Sequence, residues 1–187
     1  MEKKIKILGF AGSLRKQSYN RGLLQVALAV IPSNCTLEIF DLKDIPLYNQ
    51  DTEIDLPQSV VRLKAQVRAA DAILIATPEY NYSIPGVLKN TLDWGSRPYG
   101  DNAWNNKPVA IMGASPAMQG TSRAQYHLRQ VFVYLNMHPL NQPELMVGSA
   151  QERFDDKGNL TDPKSRQKIA DLLIALVACA KKHSAGV

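Results

Sequence analysis

The run Ala72-Ile73-Leu74-Ile75-Ala76 constrains the fold more than any other segment. It is apolar at every position, so a strand built from it has two faces to cover, as a central strand of a parallel sheet does when helices lie on both sides. Around it the chain alternates short apolar runs with amphipathic stretches. Ile5 to Phe10 reads as a first strand, Asn20 to Ile31 as a helix ended by Pro32, and Thr36 to Phe40 as a second strand. Pro57 to Ala70 carries Val60, Leu63, Lys64 and Val67 at helical spacing, with Pro57 tolerated in a first turn. In the second half, Pro85 to Trp94 reads as a helix, Pro108 to Met112 as the fourth strand, Ala124 to Leu135 as a helix and Glu144 to Val147 as a short fifth strand. A last helix runs from Pro163 to Lys182 with Ile169, Leu172, Leu173, Leu176 and Ala180 on one stripe. Alternation of this kind, without repeats or a linker, implies a single α/β domain over residues 1–187 built on one doubly wound parallel sheet. Ligands of such sheets bind at the carboxyl ends of the strands, where strand order reverses. The loops after Phe10, Ala76 and Met112 therefore come first.

Composition narrows the class. Of 187 residues, 45% are hydrophobic and 21% charged, the balance of a soluble globular protein. Ile5 to Ala11 is interrupted by Lys6 and Gly9, and Ile169 to Ala180 is too short to span a bilayer, so no membrane partner and a cytoplasmic location are expected. The net charge of +5 is spread along the chain rather than clustered, which argues against nucleic acid and suits small anionic ligands. Cys35 and Cys179 form no CxxC pair, and His127, His138 and His183 show no metal-type spacing, so no metal is expected.

The loop Gly12-Ser13-Leu14-Arg15-Lys16-Gln17-Ser18-Tyr19-Asn20 opens a helix, and helix N-termini attract anions. It contains neither the GxxxxGK[ST] of a P-loop, nor the GxGxxG of a dinucleotide fold, nor a cysteine nucleophile. Its hydroxyls, amides and single guanidinium suit a monophosphate that is held and not cleaved. Simple helix capping by Ser18 or Asn20 is the other reading, and the residues alone leave both open. Strand three ends in Thr77-Pro78-Glu79-Tyr80-Asn81-Tyr82-Ser83-Ile84-Pro85-Gly86. A turn stiffened by Pro78 and flanked by Tyr80 and Tyr82 offers a flat surface and donors to a flavin ring; an aromatic turn that only fills a gap is the alternative.

Ser13-Leu14-Arg15 through Asn20, together with Pro78 through Asn90 and Asp93-Trp94, resemble the two signatures of the NADPH-dependent FMN reductase family, and within it the bacterial quinone and chromate reductases. The resemblance implies a flavodoxin-like three-layer sandwich with strand order 2-1-3-4-5. It also implies bound FMN, NADPH or NADH as hydride donor, and a ping-pong cycle that ends on a quinone, chromate or free flavin. By the same resemblance Ser13, Arg15, Ser18, Tyr19 and Asn20 belong to the phosphate site. Pro78, Glu79, Tyr80, Asn81 and Tyr82 belong to the ring and ribityl site, and Ser115 lies near the ring. Pro116-Ala117-Met118-Gln119 departs from the glycine-rich run usual in the family. No side chain is assigned as catalytic. Arg123, Tyr126 and Glu144 resemble residues that link subunits, so a homo-oligomer, dimer or tetramer, is expected. The alternatives are an FMN-binding electron carrier or redox sensor, and a dehydrogenase holding an adenosine ribose on Asp41. Carriers of that type are strongly acidic, unlike this chain, and the dehydrogenase lacks its glycines.

Overall fold

Alternate side chains of a strand point to opposite faces, and here the two faces differ in bulk. In the computed structural model, which describes residues 4–185, the chain forms β1 (Ile5–Ala11), α1 (Tyr19–Ala29), β2 (Cys35–Phe40), α2 (Gln58–Ala69) and β3 (Ala72–Ala76). It continues through α3 (Gly86–Gly95), β4 (Pro108–Ala114), α4 (Ser122–Leu135), β5 (His138–Pro139), β6 (Leu145–Val147) and α5 (Pro163–Ala185). The ends of the expected 1–187 domain, residues 1–3 and 186–187, lie outside the described residues. Leu8, Phe10, Ile73, Ile75, Val109 and Ile111 face α2, α3 and α4. Ala72, Ala76, Ala110 and Ala114 share the other face with Ile7, Leu74 and Met112. Those alanines leave room for the leucines of α1 and α5, and Leu23, Leu24, Leu172, Leu173 and Leu176 are all buried there. The result is helix, sheet and helix in three layers.

Every strand pair is parallel, and the order β2-β1-β3-β4-β5 is the one that the resemblance implies. One expectation needs correction. The single fifth strand expected at Glu144 to Val147 is the second half of a split edge: β5 pairs with the start of β4 at Pro108↔His138, and β6 with its end at Met112↔Leu145. Glu144 itself precedes β6. Pro139 and Pro143, which lack N–H donors, break the run into pieces too short for periodicity to reveal.

The segment that follows β2 is fastened from the opposite side of the chain. Tyr48 N–H donates to Asn90 Oδ1 (2.8 Å), while Asn90 Nδ2 and Trp94 Nε1 both donate to the Pro46 carbonyl (2.8 Å each). Asn90 and Trp94, two residues of the second signature, thus serve the scaffold. Glu53 accepts from the Tyr48 hydroxyl and from Arg97 Nε (2.7 Å), and the Arg97 guanidinium lies 3.7 Å from the Tyr99 ring centroid. Lys64, one of the expected helix-stripe residues, is buried; its ammonium stands 2.7 Å from Asp101 and donates to the Arg97 carbonyl.

The Tyr48 hydroxyl, and after it Arg97, hold the Glu53 carboxyl below the usual carboxylate range. A carboxyl depressed by folding contributes stability above its unfolded value and loses it as pH falls through the folded one. The Tm difference between the wild type and Glu53→Gln should therefore be largest near neutrality and shrink below about pH 4. Thermal melts from pH 7 to 3 read this, and a difference that stays constant across the range would contradict it.

Candidate functional site

Ala11, Ala76 and Ala114 close three neighbouring strands at the same edge of the sheet, with Ala11 in register with Ala76 and Ala76 with Met112. The loops that follow enclose a cavity of about 320 Å3 lined by Ser13, Arg15, Ser18, Tyr19, Asn20, Pro78, Glu79, Tyr80, Ala114, Ser115 and Pro116. Every expected cofactor residue lines it except Asn81 and Tyr82, which form the exposed tip of the second loop. Ala114 and Pro116 were not expected; only the fold brings the end of β4 against the first loop.

The first loop presents donors. Ser18 is the N-cap of α1, with extended backbone, and its Oγ accepts the Asn20 N–H at 3.2 Å. Arg15 N–H donates to Ser13 Oγ (3.3 Å). The backbone N–H groups of Lys16, Gln17 and Tyr19 meet no acceptor among the described residues, and the first turn of α1 carries no acidic residue. Of these residues Tyr19 lines the cavity, and its free N–H, the positive end of the α1 dipole and the Arg15 guanidinium suit this end of the cavity to an anion. The two readings of Ser18 are compatible: it caps the helix and lines the cavity.

Asn20 has a role the sequence did not signal. Its Nδ2 donates to the Ala114 carbonyl (3.0 Å) and its Oδ1 accepts the Ala114 N–H (2.9 Å), so the buried amide pairs with the end of β4 as a neighbouring strand would. The back of the loop rests on a hairpin closed by Phe154 and Leu160. A Cβ on Gly22 would stand 2.2 Å from the Gly158 carbonyl oxygen, so only glycine admits this approach. Asp41, the candidate ribose ligand of the dehydrogenase alternative, pairs with Arg21 (3.3 Å) and accepts the Lys43 N–H (3.1 Å). Arg21 in turn donates from Nε to the Ser13 carbonyl (3.4 Å), bracing the loop from outside.

The second and third loops are spaced by close packing. A Cβ on Gly113 would lie 2.0 Å from Thr121 Oγ1 and 2.4 Å from the Thr77 carbonyl, so the ends of β3 and β4 approach as only glycine allows. The Tyr80 hydroxyl lies 3.5 Å from Ser13 Oγ and joins the first two loops across the cavity. Ser115 N–H donates to the Val147 carbonyl (3.0 Å), and Ser115 Oγ accepts the Ala117 N–H (3.2 Å), which anchors the divergent Pro116–Gln119 segment. Of the expected subunit-linking residues, Arg123 pairs inside its own chain with Glu79 (3.1 Å). Tyr126 is exposed, and Glu144 makes no hydrogen bond or ion pair among the described residues.

FMN fits this donor set. The first loop brings a helix N-terminus and a guanidinium to the cavity, and Pro78, Glu79, Tyr80, Ser115 and Pro116 complete its lining. Residues 5–152, which contain all three loops, match the model of the NADPH-dependent FMN reductase family. The chain belongs to that family. It is 52% identical over 177 residues, 94% of this chain and 95% of the other, to an NAD(P)H-dependent FMN reductase of Pseudomonas aeruginosa. It is 43% identical to a 2-hydroxy-1,4-benzoquinone reductase of a Burkholderia species, over 87% of this chain and 89% of that one. Among solved structures it resembles FerB, a flavoenzyme NAD(P)H:(acceptor) oxidoreductase of Paracoccus denitrificans, with a TM-score of 0.87, 35% identity, and 96% and 98% of the two chains covered. As a family member it has a flavodoxin-like fold, with FMN as cofactor and a reduced nicotinamide as donor.

The Asn20 pairing yields a test. Asn20→Ala leaves the Ala114 N–H and carbonyl unpaired in a buried site, so stability should fall by about 1–3 kcal/mol. At roughly 2–4 °C per kcal/mol for a chain of this size, the loss is visible in a thermal melt. Asn20→Asp removes the donor and sets a carboxylate against the Ala114 carbonyl, so its Tm should fall further. An aspartate as stable as the alanine would show that the amide pair does not carry the load.

Proposed function

We propose that this protein is an FMN-dependent NAD(P)H oxidoreductase that delivers electrons to quinones, and to chromate or free flavin in their place, acting as one domain. The observation that carries the reading is a single cavity, at the carboxyl ends of β1, β3 and β4, that joins the Ser13–Asn20 loop to Pro78, Glu79 and Tyr80. FMN held in this cavity would supply the redox chemistry that links the nicotinamide donor to the acceptor. The chain's own residues bind and orient. Arg15 and the N–H groups at the start of α1 offset the phosphate charge. Asn20 and Gly113 hold the three loops at fixed spacing. Pro78, Glu79, Tyr80 and Ser115 bound the ring end. No side chain acts as nucleophile or general base.

The quinone assignment draws on the relatives, one of which is named for a hydroxybenzoquinone. A small-molecule acceptor, and not nucleic acid, is also supported by how the cations are used. Arg21, Lys64, Arg68, Lys89, Arg97, Arg123 and Arg153 are each committed to a carboxylate of the same chain. No helix among the described residues is long and apolar enough to cross a membrane, and the proposal places the protein in the cytoplasm. It also includes a homo-oligomer, dimer or tetramer, with Arg123, Tyr126 and Glu144 at a subunit contact; the exposed Tyr126 ring on α4 supports this.

The purified protein should be yellow. It should oxidise NADPH or NADH with a quinone as acceptor and give parallel lines in double-reciprocal plots, the pattern of a ping-pong cycle. Chromate and free FMN tested beside the quinone rank the acceptors, and sedimentation velocity gives the assembly. A colourless protein that neither takes up FMN nor oxidises either nicotinamide would sink the proposal. A yellow protein without turnover would favour the electron-carrier reading.

A further inference from the structure

The turn at the ring end of the cavity adopts a conformation that its own sequence does not favour. Tyr80 and Ser83 exchange both backbone hydrogen bonds (3.1 and 3.0 Å), and the two residues between them have positive φ, 50° at Asn81 and 64° at Tyr82. This is a two-residue hairpin of the type I′ kind, whose second central position normally carries glycine. Asparagine tolerates the left-handed region, but tyrosine avoids it. Asn81 and Tyr82 are both exposed, so burial of the turn does not hold it.

The first turns of α4 hold it instead. Arg123 Nη1 lies 3.1 Å from Glu79 Oε1, and the Ala124 N–H donates to Glu79 Oε2 at 3.1 Å. The same guanidinium covers the Tyr82 ring, with Cζ 4.0 Å from its centroid, and Ser83 Oγ lies 2.9 Å from His127 Nδ1. Thr121, the N-cap of α4, makes no side-chain cap bond, so the Glu79 carboxylate takes that place from another loop. Positions 123, 124 and 127 fall on one face of the helix, and together they grip residues 79, 82 and 83. Glu79 and Tyr80 line the cavity, whereas Arg123 does not.

We propose that Arg123 is a positioning residue for the flavin: by gripping Glu79 through its edge and Tyr82 through its face, it keeps the 80–83 turn left-handed and so fixes the backbone wall against which the ring lies. This rests on the reading of the cavity as the FMN site. When Arg123 is removed, the turn relaxes toward ordinary backbone angles and the wall at Glu79–Tyr80 moves with it. Glycine at position 82 has no such preference, so it makes the clamp unnecessary.

The test compares wild type, Arg123→Ala, Tyr82→Gly and the double variant. FMN affinity is measured by fluorescence titration of the flavin-free protein. Amide hydrogen exchange at residues 80–83 is read without flavin, and sedimentation velocity is run in parallel. Arg123→Ala should weaken FMN binding about tenfold, the scale of one strained residue, and speed exchange of the Ser83 amide. Adding Tyr82→Gly should recover most of the lost affinity and restore the visible circular dichroism of bound FMN, whatever the oligomeric state. Unchanged affinity in Arg123→Ala would overturn the proposal, and so would failure of Tyr82→Gly to rescue it or a loss that only tracks dissociation of subunits. If wild type itself binds no FMN, the cavity reading fails and the proposal falls with it; the exchange data then show separately whether the clamp exists.

Discussion

The side-chain amide of Asn20 lies between two elements that would otherwise have no reason to keep their distance. It satisfies both backbone groups of Ala114, the last residue of β4, from the first turn of α1. Strand and helix are thereby locked end to end, and the cavity between the first and third loops takes its width from one amide. The pair is buried, so breaking either half leaves a backbone group without water to replace its partner. The cap at Ser18 and the brace from Arg21 to Ser13 then hold the first loop in place. Around that fixed end the Gly113 contact and the Tyr80–Ser13 approach settle where the second loop stands.

Much of the fold was legible because periodicity is a local property. The apolar run of β3, the alternating β2 and the stripe of α5 each announce themselves within a dozen residues, and the sheet follows from their order. The edge strand was not legible as it stands. His138–Pro139 is two residues long and Leu145–Val147 three, and their pairing with β4 depends on partners some thirty residues away. The turn closed by Phe154 and Leu160 is joined by a single bridge, too little for any periodicity to mark it.

The site was legible as a set of residue types and not as a set of roles. A serine and an asparagine at a helix start are expected to meet an anion or to cap, and nothing local says that Asn20 reaches across to β4. The second signature contains residues with separate tasks: Pro78, Glu79 and Tyr80 line the cavity, while Asn90 and Trp94 tie the Pro46–Tyr48 segment to α3. Glu79 lines the cavity and also meets α4 with its carboxylate, a second contact that spacing does not signal. Side-chain direction is set by packing, which composition and spacing do not encode.

The split edge has a further meaning for life in a crowded solution. A long, flat, exposed strand beside β4 would present a continuous row of unpaired backbone groups, a template onto which strands of other molecules could add. Here that margin is broken into β5 and β6, with Pro139 and Pro143 withholding donors and Asn141 and Gln142 exposed between them. The interruption denies such strands a template at this margin of the sheet, while the cavity opens elsewhere, at the carboxyl ends of β1, β3 and β4.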